Sequence, residues 1–408
     1  MSATQPYIPR AGERAPRPDR FRTSRRAELK IWWREIDRVL LFLILALMAI
    51  GAAAVAAASP ASASRLSTSD QQLPDLYFYW AHLRWQLLGL VAMFGAAMLS
   101  RENARRAGIV LFAGMFAMLV LVPIAGYEVN GARRWIDLGL SFQPSEFLKP
   151  AFVITLAWII AWRARDPNIP VVAIATAIMG AVGVLLMMQP NLGDTVLFAG
   201  VWFALVVLSG VSTRRLGAVI GGGLVAGVLV YLFYENGRNR INDFLGGGTA
   251  FDQVDLAQRT LLAGGWTGSG LWLGIRKMSL PEAHTDYIFS VIGEEFGLLV
   301  CAVIVLLYLA IVVRVLVRLA DEEDLFTLLA GAGLAVLIGG QAFINILVNL
   351  QLAPSKGMTL PLVSYGGSST IAVCLTVGLL LAITRRNPFL KRGRPGVWQR
   401  LFGRESRQ

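Results

Sequence analysis

Residues 281–297 read Pro-Glu-Ala-His-Thr-Asp-Tyr-Ile-Phe-Ser-Val-Ile-Gly-Glu-Glu-Phe-Gly and gather four carboxylates and a histidine in one short stretch. They lie where a polar loop, 235–283, meets an apolar run, 287–313. A membrane-spanning helix needs about 20 mostly apolar residues, so that run is long enough to cross a bilayer. Asp286 then sits at the membrane–water boundary, with His284 and Glu282 just outside it. At about 1.5 Å per residue, Glu294 falls about 12 Å deeper along the helix axis. It lies roughly 80° around from Asp286, with Glu295 on the opposite face. Carboxylates in a span are expensive, so they face a polar cavity or a partner. A carboxylate here can take a proton from an attacking hydroxyl or hold a divalent metal. The plainer alternative is that these groups anchor the helix end; their density favours chemistry.

Three more segments carry unusual polar groups. The first is Asn130-Gly131-Ala132-Arg133-Arg134-Trp135 followed by Gln143-Pro144-Ser145-Glu146-Phe147-Leu148-Lys149-Pro150. Lys149 enters an apolar run and needs an anionic partner. Glu146 is the plain choice; a phosphate is the interesting one, since Arg and Lys are the usual phosphate binders. The second is Gln189-Pro190-Asn191-Leu192-Gly193-Asp194-Thr195, where Asp194 reads as an interfacial helix cap. The third runs from Lys356-Gly357-Met358-Thr359-Leu360-Pro361 to Gly366-Gly367-Ser368-Ser369. Its glycines either present backbone N–H groups to an anion or make a tight re-entrant turn.

The elements that must position these groups are apolar helices. The chain has 408 residues, 55% hydrophobic and only 16% charged, where a soluble domain carries about 25% charged residues. Apolar runs at 39–58, 84–100, 107–125, 146–163, 171–188, 193–210, 215–234, 287–313, 326–350 and 367–384 predict an all-α polytopic membrane protein with ten spans. Small residues after the first run (Ala56, Ala57, Ala58, Ser59) resemble a signal-peptide cleavage site, but the run exceeds the 7–15 residues of such a segment. Arg101, Arg105 and Arg106, then Arg163 and Arg165, Arg214 and Arg215, Arg314 and Arg318, and Arg385 and Arg386 make every second connection basic. The positive-inside rule then puts both termini in the cytoplasm and the large 235–286 loop, between spans seven and eight, outside. The net charge of +12 follows this topology rather than a nucleic-acid surface. Residues 1–36 predict a disordered basic tail, 37–386 the membrane domain, and 387–408 a second basic tail. Two His and two Cys in the whole chain exclude a structural zinc site. The outward segments together predict a cavity with cations (Arg134, Lys149, Lys356), a carboxylate (Asp286) and backbone donors. That mixture suits a lipid-linked phosphate or pyrophosphate bearing a sugar. No nucleotide-binding fingerprint is present, which makes a lipid-borne donor the consistent choice.

Asn-Gly-x-x-Arg-Trp at 130–135, Gln-Pro-Ser-Glu-Phe-x-Lys at 143–149, Gln-Pro-x-Leu-Gly at 189–193, His-Thr-Asp-Tyr-Ile-Phe at 284–289 with Glu294-Glu295, and Pro-Leu-Val-Ser-Tyr-Gly-Gly-Ser-Ser at 361–369 resemble the SEDS family. Pro-Glu-Ala-His-Thr-Asp at 281–286 and Lys-Gly-Met-Thr-Leu-Pro at 356–361 resemble its division branch more than its elongation branch. Asn191 stands where the family commonly has Asp, and Gln351 where it commonly has Gly; the 242–263 loop matches only through Phe251 and Gln253.

The resemblance implies a ten-span peptidoglycan glycosyltransferase of the inner (cytoplasmic) membrane that polymerises lipid II into glycan strands at the division septum. It implies a class B penicillin-binding protein as transpeptidase partner, with other divisome proteins. It implies that Asp286 is essential, and that Arg134, Lys149, Gln253, Ser364, Gly366, Gly367 and Ser368 line the substrate cavity. His284, Glu294 and Lys356 are expected to join them. The residues leave the cofactor open: Asp286 either deprotonates the acceptor hydroxyl itself or positions a divalent cation, Mg or Mn, that does so. Two rival functions share the same residues. A lipid II flippase would expose charge to both sides in turn, and a non-catalytic divisome scaffold would tolerate loss of Asp286.

Overall fold

The computed structural model describes residues 25–68, 72–129, 132–137, 139, 141–246, 253–355 and 357–386. Each of the ten apolar runs is a helix. In chain order the helices are α1 (Arg25–Glu35), α2 (Arg38–Leu66), α3 (Tyr77–Ala97), α4 (Arg101–Ala125), α5 (Pro144–Ala161), α6 (Val171–Met188), α7 (Leu192–Leu208), α8 (Thr213–Phe233), α9 (Glu235–Leu245), α10 (Gln253–Ala263), α11 (Ile288–Leu319), α12 (Leu325–Asn349) and α13 (Gly367–Ile383). Among the described residues, seven helices are long and apolar enough to cross a membrane: α2, α4, α5 with its short extension to Ala164, α6, α8, α11 and α12. The chain is therefore a multi-pass membrane protein. Helices α7 and α13 are apolar but only 17 residues each, and α3 carries His82, Arg84 and Gln86.

Helices α5 and α12 sit at the centre, buried along most of their length. Helix α8 has no buried residue. Small residues set the close approaches. A Cβ on Gly51 of α2 would lie 2.7 Å from the Leu362 carbonyl oxygen and from the Val363 Cα, so only glycine lets α2 touch the chain ahead of α13. Asp37 caps α2 through the N–H groups of Val39 and Leu40. It also pairs with Arg314 and Arg318, tying the start of α2 to the far end of α11.

Three expectations are corrected. The all-α reading misses a three-stranded antiparallel meander, β1 (Tyr127–Val129), β2 (Ala132–Asp137) and β3 (Ser141–Phe142). Its register sets Glu128 opposite Arg133 and Ile136 opposite Phe142, so an ion pair and an apolar pair hold the strands together. Part of the tail expected to be disordered is helix α1. Its Trp32 indole donates to the Ala97 carbonyl at 3.0 Å and meets Phe94 edge-on, which supplies the packing that the composition hides. Residues 1–24 and the tail 387–408 lie outside the described residues. Finally, α2 runs eight residues beyond its predicted end, through Pro60. Ser59, Ala61, Ser62 and Ala63 stay buried there, and Ser59 Oγ donates to the Asp75 carbonyl at 2.6 Å.

Candidate active site

Asp286 occupies the last turn before α11 and is half-buried. Its main chain is fixed by three consecutive carbonyls. The His284 carbonyl accepts the Tyr365 N–H at 2.9 Å. The Thr285 carbonyl accepts Ser364 Oγ at 2.6 Å. The Asp286 carbonyl accepts the side-chain amides of Asn345 at 2.8 Å and Asn349 at 3.1 Å. All four donors come from α12 or from the segment between α12 and α13. A carboxylate whose backbone is held on successive residues has few directions left, the supported geometry that a catalytic side chain needs.

The segment facing Asp286 contains Gly357, with φ +60. A Cβ built there would lie 3.6 Å from Asp286 Oδ2 and 3.9 Å from Arg134 Nη1, so a carboxylate and a guanidinium converge beside this glycine. Arg134, on β2, donates from Nε to the Gln189 carbonyl at 3.1 Å and from Nη2 to the Pro190 carbonyl. The meander thus carries the arginine over the turn between α6 and α7. A cavity of about 10 Å³, the room of about one water, is lined by Asp286, Asn345, Gly357 and Met358. Ser364 is buried, and its Oγ also accepts the Leu360 N–H at 2.8 Å. Gly366 is the cap of α13 in an extended conformation. A Cβ on Gly367 would press the Trp85 ring at 3.3 Å. Ser368 lies half-buried in the first turn of α13.

Lys149 lies apart from Asp286, in a charge cluster of its own. It is buried, and its ammonium pairs with Glu146 at 2.6 Å and Asp194 at 2.9 Å. Asp194 also accepts Ser145 Oγ at 3.1 Å and Asn191 Nδ2 at 2.7 Å. Glu146, the plainer of the two partners read from the sequence, is thus in place together with Asp194, as a buried ammonium must be paired where it lies. Asn191, the residue departing from the family pattern, caps α7 and holds Asp194.

His284 is buried, with Nδ1 2.8 Å from Ser62 Oγ and its ring against Phe78 and Tyr365. Burial pushes its imidazole down to about 4, against an opposing pull from Glu282. It is thus neutral near pH 7 and offers no charge to a phosphate. Both oxygens of Glu294 accept backbone N–H groups, from Arg276 at 2.6 Å and Lys277 at 2.8 Å. Glu295 accepts from the Trp272 and Gly274 N–H groups and pairs with Lys277. These carboxylates anchor their own long loop. Gln253 is exposed at the start of α10. Lys356 lies outside the described residues.

The amides that hold Asp286 escaped the sequence reading. Gln341, Asn345 and Asn349 recur every four residues in an apolar helix and so share one face. Gln341 donates to the Thr359 carbonyl at 3.0 Å and Asn345 to the Met358 carbonyl at 2.6 Å. A polar stripe inside a span was the available signal. As to a metal, no group of three His, Cys, Asp or Glu stands together among the described residues. Asp286 would offer a divalent ion one protein carboxylate, a donor set that suits an ion shared with substrate phosphates rather than one caged by protein alone.

Comparison with known proteins adds the following. The family model described as "Cell cycle protein", covering FtsW, RodA and SpoVE, matches residues 37–388. The probable peptidoglycan glycosyltransferase FtsW of Caulobacter vibrioides is 36% identical over 375 residues, covering 90% of this chain and 94% of that protein. The protein of the same description from Methylococcus capsulatus is 35% identical, covering 89% and 94%. Among solved structures, a chain from work on the coordination of polymerization and crosslinking by a peptidoglycan synthase complex superposes with a TM-score of 0.71 at 28% identity, over 86% of this chain and 98% of that one. The rod shape determining protein RodA of Thermus thermophilus superposes with a TM-score of 0.63 at 28% identity, over 86% and 97%.

Proposed function

The chain belongs to the FtsW/RodA/SpoVE family of cell cycle proteins, and from that premise we propose that its activity is carried by the meeting of Asp286 and Arg134 beside Gly357. It is a peptidoglycan glycosyltransferase, as its relatives' descriptions and their coverage support. The substrate of this reading is lipid II, a disaccharide peptide on a polyprenyl pyrophosphate. All ten apolar helices span the inner membrane with both termini in the cytoplasm, and Asp286 faces outward at the division septum. A class B penicillin-binding protein is the transpeptidase partner, alongside other divisome proteins; the likeness to a chain of a peptidoglycan synthase complex supports a partnered enzyme.

In this reaction the Asp286 carboxylate takes the proton of the acceptor sugar's hydroxyl. The freed oxygen bonds the donor's anomeric carbon from the face opposite the leaving group, and the configuration inverts. The bond from that carbon to the pyrophosphate oxygen breaks, and the lipid pyrophosphate leaves with the electron pair. Arg134 faces the developing charge, held in place by two carbonyls of the α6–α7 turn. A divalent cation here would travel with the pyrophosphate, and no step above uses one.

The observation that carries this reading is the half-buried Asp286 carboxylate on a backbone held at three successive carbonyls. Purified chain, with its transpeptidase partner, is given lipid II, and glycan polymer is measured for wild type and Asp286→Asn. General-base loss predicts a rate about 10²–10⁴ lower with an unchanged melting temperature. Equal polymer from the variant would remove Asp286 from the chemistry.

A further inference from the structure

At the end of the bundle away from Asp286 there is a second cavity, of about 400 Å³. Helix α4 starts there at Arg101 and delivers the Arg134 meander at its other end; α5 ends there, and α12 begins there at Leu325. The 25 residues of α4 rise about 37 Å at 1.5 Å each, more than the roughly 30 Å of a hydrocarbon core. The cavity therefore lies at headgroup depth on the face opposite the active site.

Its floor is aromatic. Trp158 and Trp162 meet edge to face with centroids 4.7 Å apart, and Phe326 lies beneath the Arg105 guanidinium, 5.9 Å from its centroid. Its rim carries Arg101, Arg105 and Arg165. Arg101 is pinned by the Arg385 carbonyl at 2.7 Å and Arg105 by Glu102 at 2.7 Å, each through Nη2. Arg165 is exposed and makes no ion pair among the described residues. Three carboxylates line the wall, Glu102, Glu323 and Asp324, each already engaged, and Arg101 also pairs with Glu322 at 3.5 Å. Glu102 accepts from both Arg105 and Arg106. Asp324 caps α12 through the Thr327 N–H and Oγ1.

We propose that this cavity binds the phosphodiester headgroup of an anionic phospholipid. The phosphate sits among the three guanidiniums, and the glycerol and upper acyl chain lie over the two tryptophans and Phe326. Basic pockets between spanning helices select acidic lipids in this way, and Arg is the side chain whose fork matches phosphate oxygens. The inference rests on the chain crossing a bilayer and not on its activity.

The test uses the purified full chain in detergent, with melting temperature followed as phosphatidylglycerol, phosphatidylcholine or inorganic phosphate is added. Phosphatidylglycerol raises the midpoint more than phosphatidylcholine, and inorganic phosphate does not reproduce the rise. Arg165→Gln weakens the apparent phosphatidylglycerol affinity about tenfold or more, the loss expected for one charged hydrogen bond. Arg165→Lys retains most of it. Both variants melt like wild type without lipid, since Arg165 is a surface side chain. Equal responses to the two lipids, or an unchanged affinity in Arg165→Gln, would overturn the proposal. A full response to inorganic phosphate would assign the cavity to a free phosphate ester instead.

Discussion

Two neighbouring groups near Asp286 behave differently although both are basic side chains. Arg134 keeps its charge and is anchored by the Gln189 and Pro190 carbonyls. His284 is kept neutral by burial and serves as packing between Ser62, Phe78 and Tyr365. Arg134→Lys preserves a cation but cannot hold both carbonyls and face a pyrophosphate at once. Losing one charged hydrogen bond is worth about tenfold to hundredfold in kcat/KM, measured as polymerisation at limiting lipid II, with the folded fraction unchanged. For His284, the folded imidazole sits at about 4 and the unfolded one near about 6.5. The unfolded state then binds the extra proton between those values. The stability this group contributes is complete above about pH 6.5 and falls at about 1.4 kcal/mol per pH unit as pH drops toward 4. Melting temperature against pH in detergent reads this slope, and His284→Gln flattens it. A slope unaltered by the substitution would mean that His284 is protonated as readily in the folded protein.

The element that sets the site is α11, and it is broken. Gly297 has φ 84 and ψ 170 inside it. The carbonyls of Glu294 and Glu295 leave the helix ladder to accept the N–H groups of Ser269 at 2.8 Å and Gly270 at 3.0 Å. In return Leu298 and Leu299 donate to the carbonyls of Gly265 and Trp266. The loop after α10 is thus wedged into the break and gives these four backbone groups new partners, as non-helical backbone in a membrane requires. Gly297→Ala would force a side chain into a backbone region that is essentially glycine-only. Its Cβ would also lie 2.5 Å from the Gly268 nitrogen. Destabilisation of about 3 kcal/mol or more follows, seen as a lower melting temperature and faster proteolysis between 264 and 287. Apolar runs, basic connections and the ionisable stretch around Asp286 were legible because composition and spacing carry them directly. The break was not: an isolated glycine in an apolar run reads the same whether the helix continues or opens. The meander was hidden because its strands are short and Ala132–Asp137 carries no period-two pattern that would mark a strand. Gln341, Asn345 and Asn349 were visible letters whose meaning needed the segment they bind.

Across the whole molecule, the buried Glu146–Lys149–Asp194 cluster joins α5 to α7 at the same end as Arg134. The turn that Arg134 grips leads directly into Asn191, which caps α7 and holds Asp194. Charge pairing between the helices and the position of Arg134 therefore share one turn. This gives a test of whether Lys149 acts on substrate or on structure. Lys149→Met alone leaves two buried carboxylates without their cation and destabilises by about 3–5 kcal/mol. Replacing the cluster together, as Glu146→Gln, Lys149→Met and Asp194→Asn, removes the charges that need pairing. A buried ion cluster exchanged for neutral groups of similar size is often neutral in stability, so the triple variant melts above Lys149→Met. If the cluster only braces the helices, polymerisation returns along with stability, because Arg134 and its turn are restored. If Lys149 must also meet the pyrophosphate, the triple variant is stable and still slow. The geometry predicts recovery: Lys149 is buried and already held by two carboxylates, whereas Arg134 converges with Asp286 beside Gly357. Melting temperature and polymerisation rate measured on the same preparations separate the two outcomes.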